Sequence, residues 1–218
     1  MLDYFTANTV SETVCFVIAL VCLYKDQSLI WRSMILFLMI SCLADYFGKY
    51  LNMHGHNNLW VYNIFMLFEA GFTNLMFLHL LNKYNSGRAI VIVGLAMFVV
   101  LYGSEIIQHG IFKYNNLAYT VMSIIFVLNC MYYYYLLMKD EKYINPLRSP
   151  EYWWIAGSLV FYFSNMVLNI FYDQLNELMI LPRHHLSYFI IKALNIILYS
   201  CWSFSFICRR WLTTTSGN

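Results

Sequence analysis

Ionisable side chains are scarce inside the apolar runs of this chain. Those that occur there, Glu12, Asp45, Glu69, Glu105 and Lys192, are the residues equipped for chemistry. In hydrocarbon a charged side chain costs ~2.5–3.5 kcal/mol on insertion scales, so it turns toward protein and needs a partner. Groups held this way bind ions, exchange protons or fix a polar ligand. Helical spacing groups them with other polar residues. In the last run His185, Tyr188, Lys192, Asn195, Tyr199 and Ser203 follow steps of three and four, forming one stripe. Ser158, Tyr162, Asn165, Asn169 and Tyr172 do the same in the sixth run, and Ser41, Asp45 and Lys49 step by four in the second. These stripes predict a central polar pocket, with Glu12, Asp45, Asn63, Glu69, Asn165, Asn169, Lys192 and Asn195 as its candidate ligand residues. Neither Glu69 nor Lys192 has an opposite charge one turn away, which predicts a bridge from Lys192 to Glu69, Asp45 or Glu12. The competing reading is structural: amides and hydroxyls glue membrane helices together, and Asp45 pairs with Lys49 in its own helix.

Histidine makes a second pattern. His54, His56, His109, His184 and His185 all fall in three connections on one side. Imidazoles gathered there could hold zinc or copper, or titrate near neutral pH; solvated loop histidines are the ordinary alternative.

The elements that must position these residues are transmembrane helices. The 218 residues are 61% hydrophobic and 11% charged, against roughly 25% charged in soluble domains. Runs of about 20 apolar residues span ~30 Å of hydrocarbon, and seven lie near 5–24, 31–51, 59–81, 88–108, 116–138, 153–172 and 185–207. They are too long and too continuous for barrel strands. The fold class expected is an all-α, polytopic, single-domain bundle of seven transmembrane helices. The first run lacks a basic flank and a cleavage site, so it reads as a retained helix. Nine Lys and Arg lie in the connections after helices one, three and five and in the tail, against three on the other side. Positive loops stay in the cytoplasm, which puts the N-terminus outside and the C-terminus inside. On that placement Glu12, Asp45 and Lys192 sit about two turns below the outer surface and Glu69 near the midplane. The pocket therefore opens outward.

All three prolines, Pro146, Pro150 and Pro182, read as loop residues, leaving the helices unbroken. Trp31, Trp60, Trp153, Trp154, Trp211 and Tyr132–Tyr135 lie near run ends and read as an interfacial belt. The six cysteines form no CxxC pair and read as small packing residues. His54 to Trp60 entering helix three and His184 to Tyr188 entering helix seven echo one another. Helices one to three and five to seven would then be parallel repeats about a linker helix.

There is no HExxH, GxSxG or Gly-rich phosphate loop, so an enzyme is not expected. No basic stripe is present to neutralise phosphates, so nucleic acid is not an expected partner. A ligand sensor fits the outer polar half. With about ten residues after helix seven, it would pass its signal to a separate cytoplasmic or membrane partner through Tyr132–Glu151 and Arg209–Trp211. A small-solute or ion transporter is the alternative, and a structural membrane subunit a third.

The segment Asn58-Leu59-Trp60-Val61-Tyr62-Asn63-Ile64 with Glu69, and Leu194-Asn195-Ile196-Ile197-Leu198-Tyr199 with Phe206-Ile207-Cys208, resemble a group of uncharacterised small seven-helix bacterial membrane proteins. The resemblance covers most of the chain. It implies a bacterial inner-membrane location and brings no activity or cofactor. The architecture also resembles retinal-binding rhodopsins, which would imply Lys192 as Schiff base and Glu69 as counterion. Tyr188 stands where microbial rhodopsins carry an aspartate, so retinal is not expected.

Overall fold

The computed structural model describes residues 6–84, 87–140, 145–171, 175, 179–181 and 184–215; for 179–181, 184–185 and 213–215 only the backbone is described. Seven long α-helices are present among these residues: α1 Ala7–Leu23, α2 Leu29–Met53, α3 Leu59–Asn82, α4 Arg88–His109, α5 Asn116–Lys139, α6 Pro150–Ile170 and α7 Leu186–Thr215. Six are long and apolar enough to cross a membrane, which makes this a multi-pass helical membrane protein by length and composition. At 17 residues, or about 25 Å, α1 falls just short of that length. It nevertheless makes contacts toward both ends of the bundle. Its start meets Lys49 of α2 through Thr6, and its end meets Arg210 of α7 through the Val21 carbonyl.

Two ends can be distinguished. One carries the start of α1 and the α2–α3, α4–α5 and α6–α7 connections, with His54, His56 and His109; we call it the histidine end. The other, the basic end, carries Arg209 and Arg210.

The packing is a ring. Each of α1, α2, α3, α5, α6 and α7 contacts the next, and α7 returns to α1. The fourth helix stands outside this ring, against α3 and α5 alone among the major contacts. It is the most apolar of the six long helices and the least buried. A helix with little polar surface has least to gain from an interior position and tolerates lipid on most sides.

Several sequence expectations change. Pro150 is not a loop residue but the first residue of α6. Its missing N–H costs nothing there, and the Ser149 hydroxyl accepts from Tyr152 N. Pro146 opens a single 3-10 turn, Pro146–Arg148; Pro182 lies outside the described residues. Arg209 and Arg210 belong to α7, which continues past residue 207. The α6–α7 connection carries a short antiparallel ribbon, Met179–Leu181 with His184–His185, that helical periodicity does not predict.

The belt assignment also fails for Trp31 and Trp154, each about 1% exposed. Trp154 stacks on Trp202 at 5.7 Å between ring centroids and meets Phe77 edge-on at 5.5 Å. Trp31 lies under the Arg209 guanidinium at 5.5 Å. Nearness to a helix end does not decide which way a ring points; the neighbouring helix does. The cysteines are all free, with Cys15, Cys42, Cys130 and Cys208 buried.

Close helix approach depends on Gly157, where a Cβ would stand 2.7 Å from the Cys201 Cβ and 3.4 Å from the Leu198 carbonyl. Both are stiff neighbours, so overpacking here has no easy relief. Gly157→Val is expected to lower stability by about 1–3 kcal/mol, read as a fall in the unfolding temperature of the purified protein in detergent. An unchanged transition would show that α6 and α7 pack less closely than this.

Candidate functional site

The centre of the ring holds a cavity of about 200 Å³. Every ring helix except α1 contributes to its wall. Ser41 and Phe37 come from α2, Tyr62, Phe65, Met66 and Glu69 from α3, Tyr119 from α5 and Phe161 from α6. Asn195, Leu198, Tyr199 and Trp202 come from α7, and Tyr114 reaches in from the α4–α5 connection. The residues named from α2, α3, α5 and α7 lie mainly toward the histidine end. Eight of the thirteen lining residues are aromatic, one is a carboxylate, and none is basic.

Glu69 is the acid of this cavity. The Tyr162 hydroxyl donates to its Oε1 at 2.7 Å, and among the described residues no other donor or cation meets it. Tyr162 is fully buried, with Phe126 edge-on at 4.8 Å between centroids, so the phenol is held in place. A second carboxylate lies behind the wall. Glu12 of α1, 4% exposed, accepts a hydrogen bond from Ser41, and Tyr199 stands beside both. Neither Glu12 nor Glu69 has a basic partner among the described residues.

Closer to the histidine end the acid is neutralised. Asp45 receives Lys49 Nζ at 2.6 Å and the Thr9 hydroxyl at 3.0 Å, and Lys49 donates also to Thr6 and Thr9. Thr6, Thr9 and Glu12 recur every three residues on α1, opposite Lys49, Asp45 and Ser41 on α2. The two helices thus form a polar seam that deepens toward the cavity. In the α4–α5 connection, burial and then the Glu69 charge push the Tyr114 phenol above the usual tyrosine range. It therefore stays neutral and keeps its proton as a donor.

Of the eight pocket candidates, Glu69 and Asn195 line the cavity and Glu12 stands behind Ser41. Asn195 Nδ2 is taken up by the Ile191 carbonyl at 2.9 Å, which leaves its Oδ1 as an acceptor. Asp45 stays in the rim pair. The remaining asparagines serve the backbone or a neighbouring helix. Asn63 donates to the Ile111 and Lys113 carbonyls, each at 2.7 Å, and accepts from Asn115 N at 3.2 Å. It clamps the connection that carries Tyr114. Asn165 donates to the Phe161 carbonyl one turn back, and Asn169 to the Thr120 hydroxyl.

The expected bridge from Lys192 is not formed. None of Glu12, Asp45 and Glu69 lies within ion-pair distance of it, and its Nζ sits 3.9 Å from the Tyr188 ring centroid. Each acid already has nearer hydroxyl or ammonium partners, and a ring face on the same helix holds the lysine without desolvating it. Lys192 is not part of the cavity wall. His54, His56 and His109 are exposed, and His54 Nδ1 lies 2.8 Å from the Tyr50 carbonyl. Among the described residues no three metal-ligating side chains converge; the His184 and His185 side chains lie outside the description.

Sequence reasoning missed the tie that closes the basic end. Arg209 donates twice to Asp26, at 2.8 and 3.2 Å, and Asp26 is 6% exposed. It also missed the partner of Glu105, which accepts from the Ala118 N–H at 2.8 Å and so satisfies a free donor in the first turn of α5. Neither pairing follows a helical period, so no spacing rule finds it. Comparisons with protein-family models, with curated proteins and with solved structures each return no match.

Replacing Asn63 by Leu removes three hydrogen bonds to residues 111–115. The expected result is faster amide exchange across that connection and a loss of about 2–3 kcal/mol in stability. Unchanged exchange there would mean that the connection is held by something other than Asn63.

Proposed function

We propose that the chain is a bacterial inner-membrane protein whose central cavity opens outward and binds a small ligand, with the signal passed to a separate partner. The single observation that carries this reading is Glu69. Its carboxylate stands in an aromatic cavity with one phenol as donor and no basic partner among the described residues. A wall carboxylate left in this state favours a role toward something that enters. Outward opening follows from the charge count, which puts the histidine end outside, and from the position of the cavity near that end. The Asp26–Arg209 pair and the Val21–Arg210 contact support closure on the basic side. Trp211 at 64% exposure and Leu147 at 61% leave apolar surface at that end for a partner or for lipid.

A transporter is the second reading, favoured by one observation. On the basic side of Glu69, Asn74 Oδ1 and both amide atoms of Asn129 are buried without a hydrogen-bond partner. Buried amides left unsatisfied cost about 1–3 kcal/mol each, so they favour water or a passing solute.

Thiol labelling separates these readings. A membrane-impermeant maleimide applied to intact cells is expected to label Asn195→Cys above wild-type background while leaving Ser205→Cys, deep at the basic end, unlabelled. Labelling of Asn195→Cys from the outer side alone supports binding. Labelling from either side of inverted and right-side-out vesicles supports a carrier. Labelling from the cytoplasmic side alone would sink the outward pocket.

A further inference from the structure

We infer that the cavity takes a small organic cation, an amine or quaternary ammonium head, held between Glu69 and the surrounding ring faces. The inference rests on the proposed ligand-binding reading and names its ligand class. Four observations carry it. First, among the described residues the only charged group on the wall is the Glu69 carboxylate, and a second carboxylate, Glu12, lies behind the wall, hydrogen-bonded to its Ser41. Among the described residues no Lys, Arg or His lines the cavity, so an anion would meet repulsion there with nothing to offset it. Second, the rest of the wall is mainly rings, among them Tyr62, Tyr119, Tyr199 and Trp202. The negative face of an aromatic ring attracts a cation, most strongly where water is excluded. Third, this lining does not suit a metal ion. Hard cations such as calcium take six to eight oxygen ligands, and the wall offers one carboxylate, one amide and scattered hydroxyls. Fourth, the size is limiting. A volume of about 200 Å³ is room for about seven waters at ~30 Å³ each, below the ~300–1,000 Å³ of pockets for drug-sized ligands. Asn195 Oδ1 supplies one acceptor for an N–H or O–H on such a molecule.

Choline and its uncharged isostere 3,3-dimethylbutan-1-ol differ in little but the positive nitrogen, and they make the test. Titration calorimetry on the purified protein in detergent should give saturable choline binding, with the isostere weaker by at least about tenfold. Glu69→Gln, which keeps an acceptor for Tyr162, should weaken choline by about tenfold and leave the isostere unchanged. Tyr62→Leu should weaken choline where Tyr62→Phe does not, and thermal unfolding verifies that each variant is folded. Equal binding of the two probes, indifferent to Glu69→Gln, would overturn the cation and leave a cavity for apolar ligands. Failure of choline to bind a protein whose Asn195→Cys labels from outside would also overturn the cation while the pocket stands. Failure of both binding and labelling would bring down the pocket itself, and this inference with it.

Discussion

The hydrogen bond from Tyr162 to Glu69 joins α6 to α3 across the middle of the ring, and the arrangement of the centre depends on it. Lipid supplies no donor to a carboxylate, so a glutamate on an apolar helix must find protein or water. One phenol answers one oxygen. To deliver it, Tyr162 is wedged against Phe126, which in turn meets Phe77 at 5.8 Å. Glu69 also lines the cavity, where the rings of Tyr62, Tyr119 and Tyr199 keep the wall amphipathic. Open space at the centre of a tightly packed bundle is thus tied to a charged group that the protein itself only half satisfies.

Two acids nearer the ends of the bundle are paired with cations. At the histidine end Asp45 and Lys49 cancel one another with help from two threonines. At the basic end Asp26 and Arg209 do so with a bidentate bond, and the guanidinium covers Trp31. Asp45 and Asp26 are thus each matched by a cation, whereas the middle keeps Glu12 and Glu69 with hydroxyl partners only. A hydrophobic residue at either position would pack without the desolvation cost.

Much of the architecture was legible in the sequence. Apolar run length located all seven helices, and the i, i+4 spacing of Asp45 and Lys49 foretold their pair. Polar stripes placed Ser41, Tyr162, Asn195 and Tyr199 at or beside the cavity. What stayed hidden has a common physical reason. In a membrane helix both the lipid face and the core face are apolar, so the pattern does not say which aromatic points inward. Trp31 and Trp154 were thus indistinguishable from belt residues, and Phe37, Tyr62 and Phe161 from lipid-facing ones. Asparagines mislead differently. Asn63 and Asn165 carry the same side chain as Asn195, yet their amides are spent on carbonyls that only the folded chain brings near. The outer position of α4 had a faint sign in its composition, the most apolar of the long helices, but composition alone does not separate a peripheral helix from a central one.

Ring closure joins helices far apart in the sequence: Asp26 and Arg209 are 183 residues apart. During biosynthesis α1 is made well before α7, its neighbour on one side. Until then the face of α1 that carries Glu12 and Cys15 has α2 beside it and an unfilled flank. A nascent chain of this design must shield that flank, by insertase or by lipid, through the translation of five further helices. The seam between α1 and α7 consequently closes only once α7 has been made.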